Sequence, residues 1–223
     1  MNKFITFNAL CAVMLAFLLS GCLEQSDVPI CNGPYIQSYY SGALAYEVLY
    51  YENTGPGIYF MAISTDDEEA VNYTAASTGK KKAVYDSLCQ KHFDYGYHGP
   101  DVYANEIAKN CYSKDIVSIS IVSDKAYDDQ HPAGSSLADV VVYNAVSPYR
   151  WIKGGYQGDP VFSRTRNYLS LVTGEDMTLL CAYNLFYLTF FKEPTSFSRH
   201  IFTVTVVTDD GMEYVFNNVE VLF

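Results

Sequence analysis

Ile201-Phe202-Thr203-Val204-Thr205-Val206-Val207-Thr208-Asp209-Asp210-Gly211-Met212-Glu213-Tyr214-Val215-Phe216 is the stretch that decides the fold class. Phe202, Val204 and Val206 alternate with Thr203 and Thr205, the period by which a strand turns one face to a core and the other to water. Asp209-Asp210-Gly211 then supplies residues that tolerate left-handed backbone, so the chain reverses and Glu213 to Phe216 returns beside the first strand. Val219, Val221 and Phe223 continue as a last apolar face. The segment reads as an antiparallel hairpin.

Outward from the hairpin the same grammar recurs. Ile116 to Val122 places Ile116, Ser118 and Ser120 on one face and Val117, Ile119 and Ile121 on the other, which predicts a wet face and a buried one. Val140 to Tyr143 reads as a short strand or as the end of a helix begun at Ser136. Beyond a glycine-rich loop over 154–160, strands are expected at Tyr168 to Val172 and Met177 to Leu188. Nearer the N-terminus, Asn53-Thr54-Gly55-Pro56-Gly57 interrupts two apolar runs, giving strand, turn and strand, the second over Ile58 to Ser64. Asp66-Asp67-Glu68-Glu69 is an exposed loop or a helix start. Ala83, Val84, Leu88 and Phe93 recur at helical spacing before Gly96, predicting one short helix, and His92 to Pro100 reads as an irregular aromatic loop. Short strands separated by turn signals, without alternating crossover helices, indicate a mainly β chain: an antiparallel immunoglobulin-like β-sandwich with one short helix and long loops. A single β-rich domain is expected over 35–223, clearest over 111–223. Residues 23–34 carry too little periodic apolar content to fold alone and read as a tether.

Before the tether, Lys3 supplies a positive start, and residues 4 to 19 form an apolar run broken only by Thr6 and Asn8. This is the pattern of a secretory signal peptide, too short for a comfortable membrane span of about 20 residues. The run ends in Leu19-Ser20-Gly21-Cys22, which resembles the lipobox of bacterial lipoproteins. The resemblance implies cleavage after residue 21, with lipid on the Cys22 sulfur and an acyl chain on its new amino group. Several acyl chains hold a bilayer firmly, at about 0.8 kcal/mol per buried methylene.

Composition narrows the partners. The chain carries 14 Lys and Arg against 25 Asp and Glu; removing residues 1–21 takes only Lys3, leaving a net charge of about −12. Such a surface repels phosphate backbones, so nucleic acid is not an expected partner. Lys80-Lys81-Lys82 reads as a solvated turn and helix start. Twenty-one tyrosines stand against one tryptophan; tyrosine suits half-buried strand faces, and that structural role is favoured over sugar or protein contact for any one of them. Of six cysteines, Cys11 leaves with the signal peptide and Cys22 is the lipidation site. Cys31, Cys89, Cys111 and Cys181 remain, enough for two disulfides in three connectivities; Cys89 with Cys111 is the most local closure, leaving Cys31 with Cys181.

Candidate chemistry is sparse. Asp124, Asp128 and Asp129, with His131, offer oxygens for calcium, the one cofactor the sequence suggests, but lack the Asp-x-Asp-x-Asp-Gly order; a loop that caps a strand is the favoured reading. Ser135 or Ser136 would cap a helix before Leu137. His92, Asp94 and His98 lack zinc-site spacing. No nucleophile elbow, phosphate loop or dinucleotide fingerprint is present, and the abundant carboxylates mark no catalytic pair. Tyr149, Arg150, Trp151 and Tyr156, on a glycine-flexed loop with Lys153, Gln157 and Asp159, form the most suggestive ligand-binding stretch. Trp151 as a plug of the sandwich core is the competing reading.

From Cys111 onward, the strand Ile116 to Val122, the run Ser123-Asp124-Lys125-Ala126-Tyr127-Asp128-Asp129-Gln130-His131-Pro132-Ala133-Gly134-Ser135-Ser136-Leu137, Glu193-Pro194 and the hairpin of residues 200–217 resemble a family of uncharacterised Bacteroidetes lipoproteins. The resemblance covers about half the chain and implies a β-rich fold and an envelope location, not a reaction. Glu24 and Asp27 only partly match the acidic start associated with surface display in that class, so both faces of the outer membrane stay open. The expectation is a lipid-anchored, non-catalytic module at the cell envelope that binds a glycan or a protein. A structural subunit of an envelope assembly is the alternative, and a hydrolase with an unmarked carboxylate pair a weaker one.

Overall fold

The computed structural model describes residues 30–51, 55–65, 69–100, 109–157, 164–196 and 199–223. The expected signal peptide, the lipidation residue Cys22, the tether up to residue 29, turn residues 53–54, the acidic run 66–68 and Gly158-Asp159 lie outside them. Within them the chain is mainly β, a sandwich-like set of antiparallel sheets with two helices where one was expected. In chain order the elements are β1 (Ile30–Gly33), β2 (Ser38–Ser41), β3 (Ala43–Tyr51), β4 (Gly55–Ile63), β5 (Val71–Thr74), α1 (Gly79–Lys91), β6 (Tyr97–Pro100), β7 (Asn110–Tyr112), β8 (Ile116–Ser123), β9 (Val141–Val146), α2 (Tyr149–Lys153), β10 (Arg164–Tyr168), β11 (Phe186–Phe190), β12 (Arg199–Thr208) and β13 (Glu213–Leu222).

A five-stranded sheet, β10-β9-β11-β4-β3, and a three-stranded sheet, β13-β12-β8, share the larger core. Ile58, Phe60, Tyr143, Phe186 and Leu188 of the first meet Ile121, Phe202, Val204, Val206, Val219 and Val221 of the second, all of them buried. Phe60 stacks on Phe186 at 4.6 Å and meets Phe216 edge-on at 5.5 Å, so aromatic rings bridge the two layers. The hairpin forms as read, with Gly211 at φ +81° in its turn. Between Phe202 and Val204 the register slips, because Phe202 faces Val219 while Val204 faces Phe216. That extra residue at Asn217-Asn218 is a β-bulge. It explains how Tyr214 and Phe216, at even positions, share an inner face with Val219 and Val221 at odd ones.

A second bulge corrects the reading of β8. Val207 faces Ser118 and Thr208 faces Ile116, leaving Val117 without an opposite residue. Ile116 is therefore buried and Val117 is 54% exposed, the reverse of their strict alternation. Other expectations also shift. Residues 137–140 are a turn rather than a helix and lead into β9. Tyr168 ends a strand instead of starting one, and Leu169–Leu171 and Gly174–Met177 are 3-10 turns, so the expected 177–188 strand overlaps β11 only over residues 186–188. The last residues of the expected tether, Ile30–Gly33, pair antiparallel with Tyr97–Pro100, which had been read as irregular.

A smaller sheet, β5-β2-β7, lies under α1 around a second core. Its β2–β7 pair is parallel, an exception in an otherwise antiparallel chain. The helix buries Tyr85 and Cys89, while Val84 is exposed. Its end is a Schellman turn: Phe93 N–H donates to Gln90 O at 3.2 Å and Asp94 N–H to Cys89 O at 2.8 Å. Phe93 occupies the left-handed position at φ +62°, where glycine is the usual residue because a side chain there is strained by about 1–2 kcal/mol.

Candidate functional site

The suggestive stretch around Trp151 is built from the second, shorter helix. Ser147 Oγ accepts the Tyr149 N–H at 3.1 Å and starts α2. Gly155 at φ +76° and Tyr156 at φ +61° then fold the chain back, so that the Tyr156 N–H reaches Trp151 O at 2.9 Å. This return inserts the indole into the smaller core. Trp151 is 8% exposed and meets Tyr35 edge-on at 4.7 Å, Tyr156 at 5.1 Å and Tyr97 at 5.7 Å. Arg150 points away from the rings to Asp176 at 2.9 Å, and Lys153 pairs with Glu175 at 2.6 Å, clipping α2 to the 3-10 turn beside it. Of the four residues expected to bind a ligand, Trp151 and Tyr156 come together as core, Tyr149 is half-buried against His92, and Arg150 serves an ion pair. The structure favours the core-plug reading of Trp151 over the contact reading.

At the centre of this cluster is a carboxylate whose place in the sequence points only to a metal ligand. Asp94 is fully buried; its Oδ1 accepts the Tyr35 N–H at 2.7 Å and the Tyr156 hydroxyl at 2.9 Å, and its Oδ2 accepts the Ile36 N–H at 2.7 Å. Burial pushes its carboxyl above the usual range, against the pull of those donors. His92 is turned to Asp115 at 3.1 Å, and His98 bonds Asn32 across the β1–β6 pair. The trio His92, Asp94 and His98 is thus divided among three separate structural contacts. Asp115 also takes Lys91 at 2.7 Å and the Leu179 N–H at 2.9 Å. Burial alone would raise it, but His92, Lys91 and that N–H outweigh burial and hold its carboxyl at about 2.

Of the expected calcium ligands, Asp124 and Asp128 are occupied by protein, while Asp129 is exposed. Asp128 Oδ1 accepts from the Gln130 and His131 N–H groups, each at 2.9 Å, and contacts His131 Nδ1 at 2.6 Å. Its Oδ2 takes Lys192 at 2.8 Å. Asp124 Oδ1 accepts the Ile201 N–H at 2.9 Å instead of facing Asp128. Among the described residues, no three of His, Cys, Asp and Glu stand together as a metal site. The loop is a cap on the sandwich end: Gly134 N–H reaches Ser123 O, Leu137 N–H reaches Ile121 O, and Tyr127 is buried below against Phe190, His200 and Phe223.

His131 gives this cap a pH signature. Its Nδ1 faces Asp128 and its Nε2 faces Asp139 at 3.0 Å, with Lys192 beyond Asp128, and the hydrogen bond to Asp128 leads in raising its pKa. A folded-state value above the unfolded one contributes stability that is complete below the ordinary histidine pKa of about 6.5 and is lost as pH rises through the raised value. Urea unfolding of the native chain and of His131→Gln, compared between about pH 5 and about pH 9, should show the stability gap narrowing as pH rises. A gap that stays constant would refute the paired imidazolium.

None of Cys31, Cys89, Cys111 and Cys181 is in a disulfide. The expected pairs, Cys89 with Cys111 and Cys31 with Cys181, are not formed. Cys31 lies opposite Gly99 on the β1–β6 pair, Cys89 is on α1, and Cys111 lies opposite Cys181. Short sequence separation misled here because strand pairing brings Cys111 to residue 181 rather than to the helix. Compared with known proteins, the chain matches no family model, no curated protein and no solved structure.

Proposed function

We propose that the protein is a lipid-anchored lipoprotein of the cell envelope, related to the Bacteroidetes lipoproteins it resembles and held at the outer membrane through Cys22. Its β-rich head is a non-catalytic binding module. The observation that carries the reading is Leu19-Ser20-Gly21-Cys22 at the end of the apolar run. The head agrees with a binding role in one respect: its buried carboxylates Asp94, Asp128 and Asp176 are each engaged by backbone or side-chain donors, as structural groups are. With Trp151 in the core, the contact surface moves to the end of the larger sheet where β10 and β11 finish. There Tyr168 meets Phe191 edge-on at 5.5 Å, and Phe191 is 71% exposed.

The test expresses the full chain in a Gram-negative host with labelled palmitate. The native chain should take up label and sediment with membranes; Cys22→Ser should take up none and appear in the soluble envelope fraction. Equal labelling of both would sink the anchor. Binding of the native chain to a glycan panel, lost in Phe191→Ala, would support the module. A structural subunit is the second reading, favoured by the same exposed ring beside an edge strand. It predicts a discrete larger assembly by native mass that Phe191→Ala dissolves.

A further inference from the structure

We propose that Cys111 and Cys181 are a cross-strand disulfide site that staples the smaller core to the larger sandwich. The two residues are directly opposite in an isolated antiparallel bridge. The flanking bonds run from the Tyr112 N–H to Leu180 O at 2.7 Å and from the Ala182 N–H to Asn110 O at 2.9 Å. Bonds on both neighbours and none between the pair itself define a non-hydrogen-bonded site, whose Cα atoms stand about 4.5 Å apart with side chains close. That spacing lies inside the window of about 4.4–6.8 Å that a disulfide spans. Directly opposite residues of such a pair turn their side chains to the same side of the ladder, and both cysteines are fully buried.

Position gives the bond its consequence. Cys111 lies on β7 of the smaller sheet, and Cys181 lies on the strap between the Gly174–Met177 turn and β11 of the larger sheet. The Cys181 N–H also reaches Val146 O at the end of β9 at 3.1 Å. A covalent link here therefore joins residues 70 apart in sequence and ties both cores to one strap.

The chemistry balances with a disulfide oxidant. One thiolate attacks a sulfur of oxidised glutathione and releases one reduced glutathione; the second thiolate then attacks the mixed disulfide and releases another. Two protons and two electrons leave the pair, and one S–S bond is made for each one broken. Burial raises the Cys111 thiol well above its ordinary range, so attack belongs to the open chain during folding rather than to the closed native state. An oxidising envelope compartment would supply the oxidant, and only that part rests on the exported reading.

The full chain, reduced and unfolded in urea, is refolded in detergent with a mixture of reduced and oxidised glutathione. Thiols are then blocked with N-ethylmaleimide and the chain is digested without reduction. A linked Cys111–Cys181 peptide, short of two hydrogens, is expected, together with a melting midpoint about 5–10 °C above that of the dithiol form. Cys89→Ala should leave the link intact. Blocked thiols at both Cys111 and Cys181, or a dominant link to Cys31 or Cys89, overturns the site. A link that leaves the midpoint unmoved overturns the staple. Since refolding is done in vitro, neither failure bears on the palmitate experiment.

Discussion

Trp151→Ala is expected to lower the unfolding free energy by about 3–5 kcal/mol, the cost of removing a large buried aromatic and leaving a cavity. The indole is where Tyr35, Tyr97 and Tyr156 converge, at ring separations of 4.7, 5.7 and 5.1 Å. Its loss strips a ring partner from each of them. Arg150→Ala, one residue earlier, should cost less than about 1 kcal/mol, because the guanidinium is exposed and screened and the buried Asp176 keeps its Thr165 and Thr173 donors. The contrast between neighbours separates a core role from a ligand-contact role. A contact residue would lose binding and keep stability; a core residue loses stability first. Since Trp151 is the only tryptophan, its fluorescence reports directly on the smaller core in the native chain. Emission should shift to longer wavelength in the same urea transition that removes the far-UV circular dichroism. A Trp151→Ala midpoint equal to that of the native chain would return the residue to the list of binding candidates.

Local periodicity made the hairpin β12–β13 readable, because its signal lies within a few residues of the contacts it specifies; it placed the helix α1 but not its face, since Val84 and Phe93 are exposed while Tyr85 and Cys89 are buried. Parity was lost where a bulge intervened. Nothing in Ile116-Val117-Ser118 announces that Val117 will be the extra residue, since the bulge is set by the register against Val207 and Thr208. The pair β1–β6 escaped because four residues, Ile30–Gly33, gain their order only from a partner nearly seventy positions later. Cysteine pairing failed for the same reason: spacing in sequence says little about which strands adjoin. The competing readings of Trp151 were both visible, but the choice turned on Gly155 and Tyr156, whose left-handed backbone swings the loop inward. Among the candidate metal residues the types were right for hydrogen-bonded anchors as much as for ligands, and geometry assigns Asp94, Asp124 and Asp128 to backbone N–H groups.

Asp94→Ala should cost about 3–5 kcal/mol, because it leaves the N–H groups of Tyr35 and Ile36 buried without an acceptor, at about 1–3 kcal/mol each, and removes the partner of the Tyr156 hydroxyl. The loss stays with those side-chain bonds, because the Asp94 N–H that closes the Schellman turn on Cys89 O is backbone and persists in the alanine variant. Tyr156→Phe alone should cost about 1 kcal/mol. In the Asp94→Ala background it should cost less, since the bond to Asp94 is already gone and only the longer one from the Gly96 N–H at 3.4 Å remains to be lost; a cycle that proves additive would refute the coupling. Acid sharpens the test. Burial raises the Asp94 carboxyl in the folded chain, so the native state holds this proton more tightly than the unfolded state, and the contribution of this group to stability falls as pH rises from the ordinary carboxylate range through the raised value. The Asp94→Ala penalty should therefore be larger at acid pH than at neutral pH. Asp115, held down at about 2, has the opposite sign, but it is common to both chains and cancels in the difference. A penalty that grows toward neutral pH instead would mean that the three donors overcome burial and that Asp94 is held as the carboxylate.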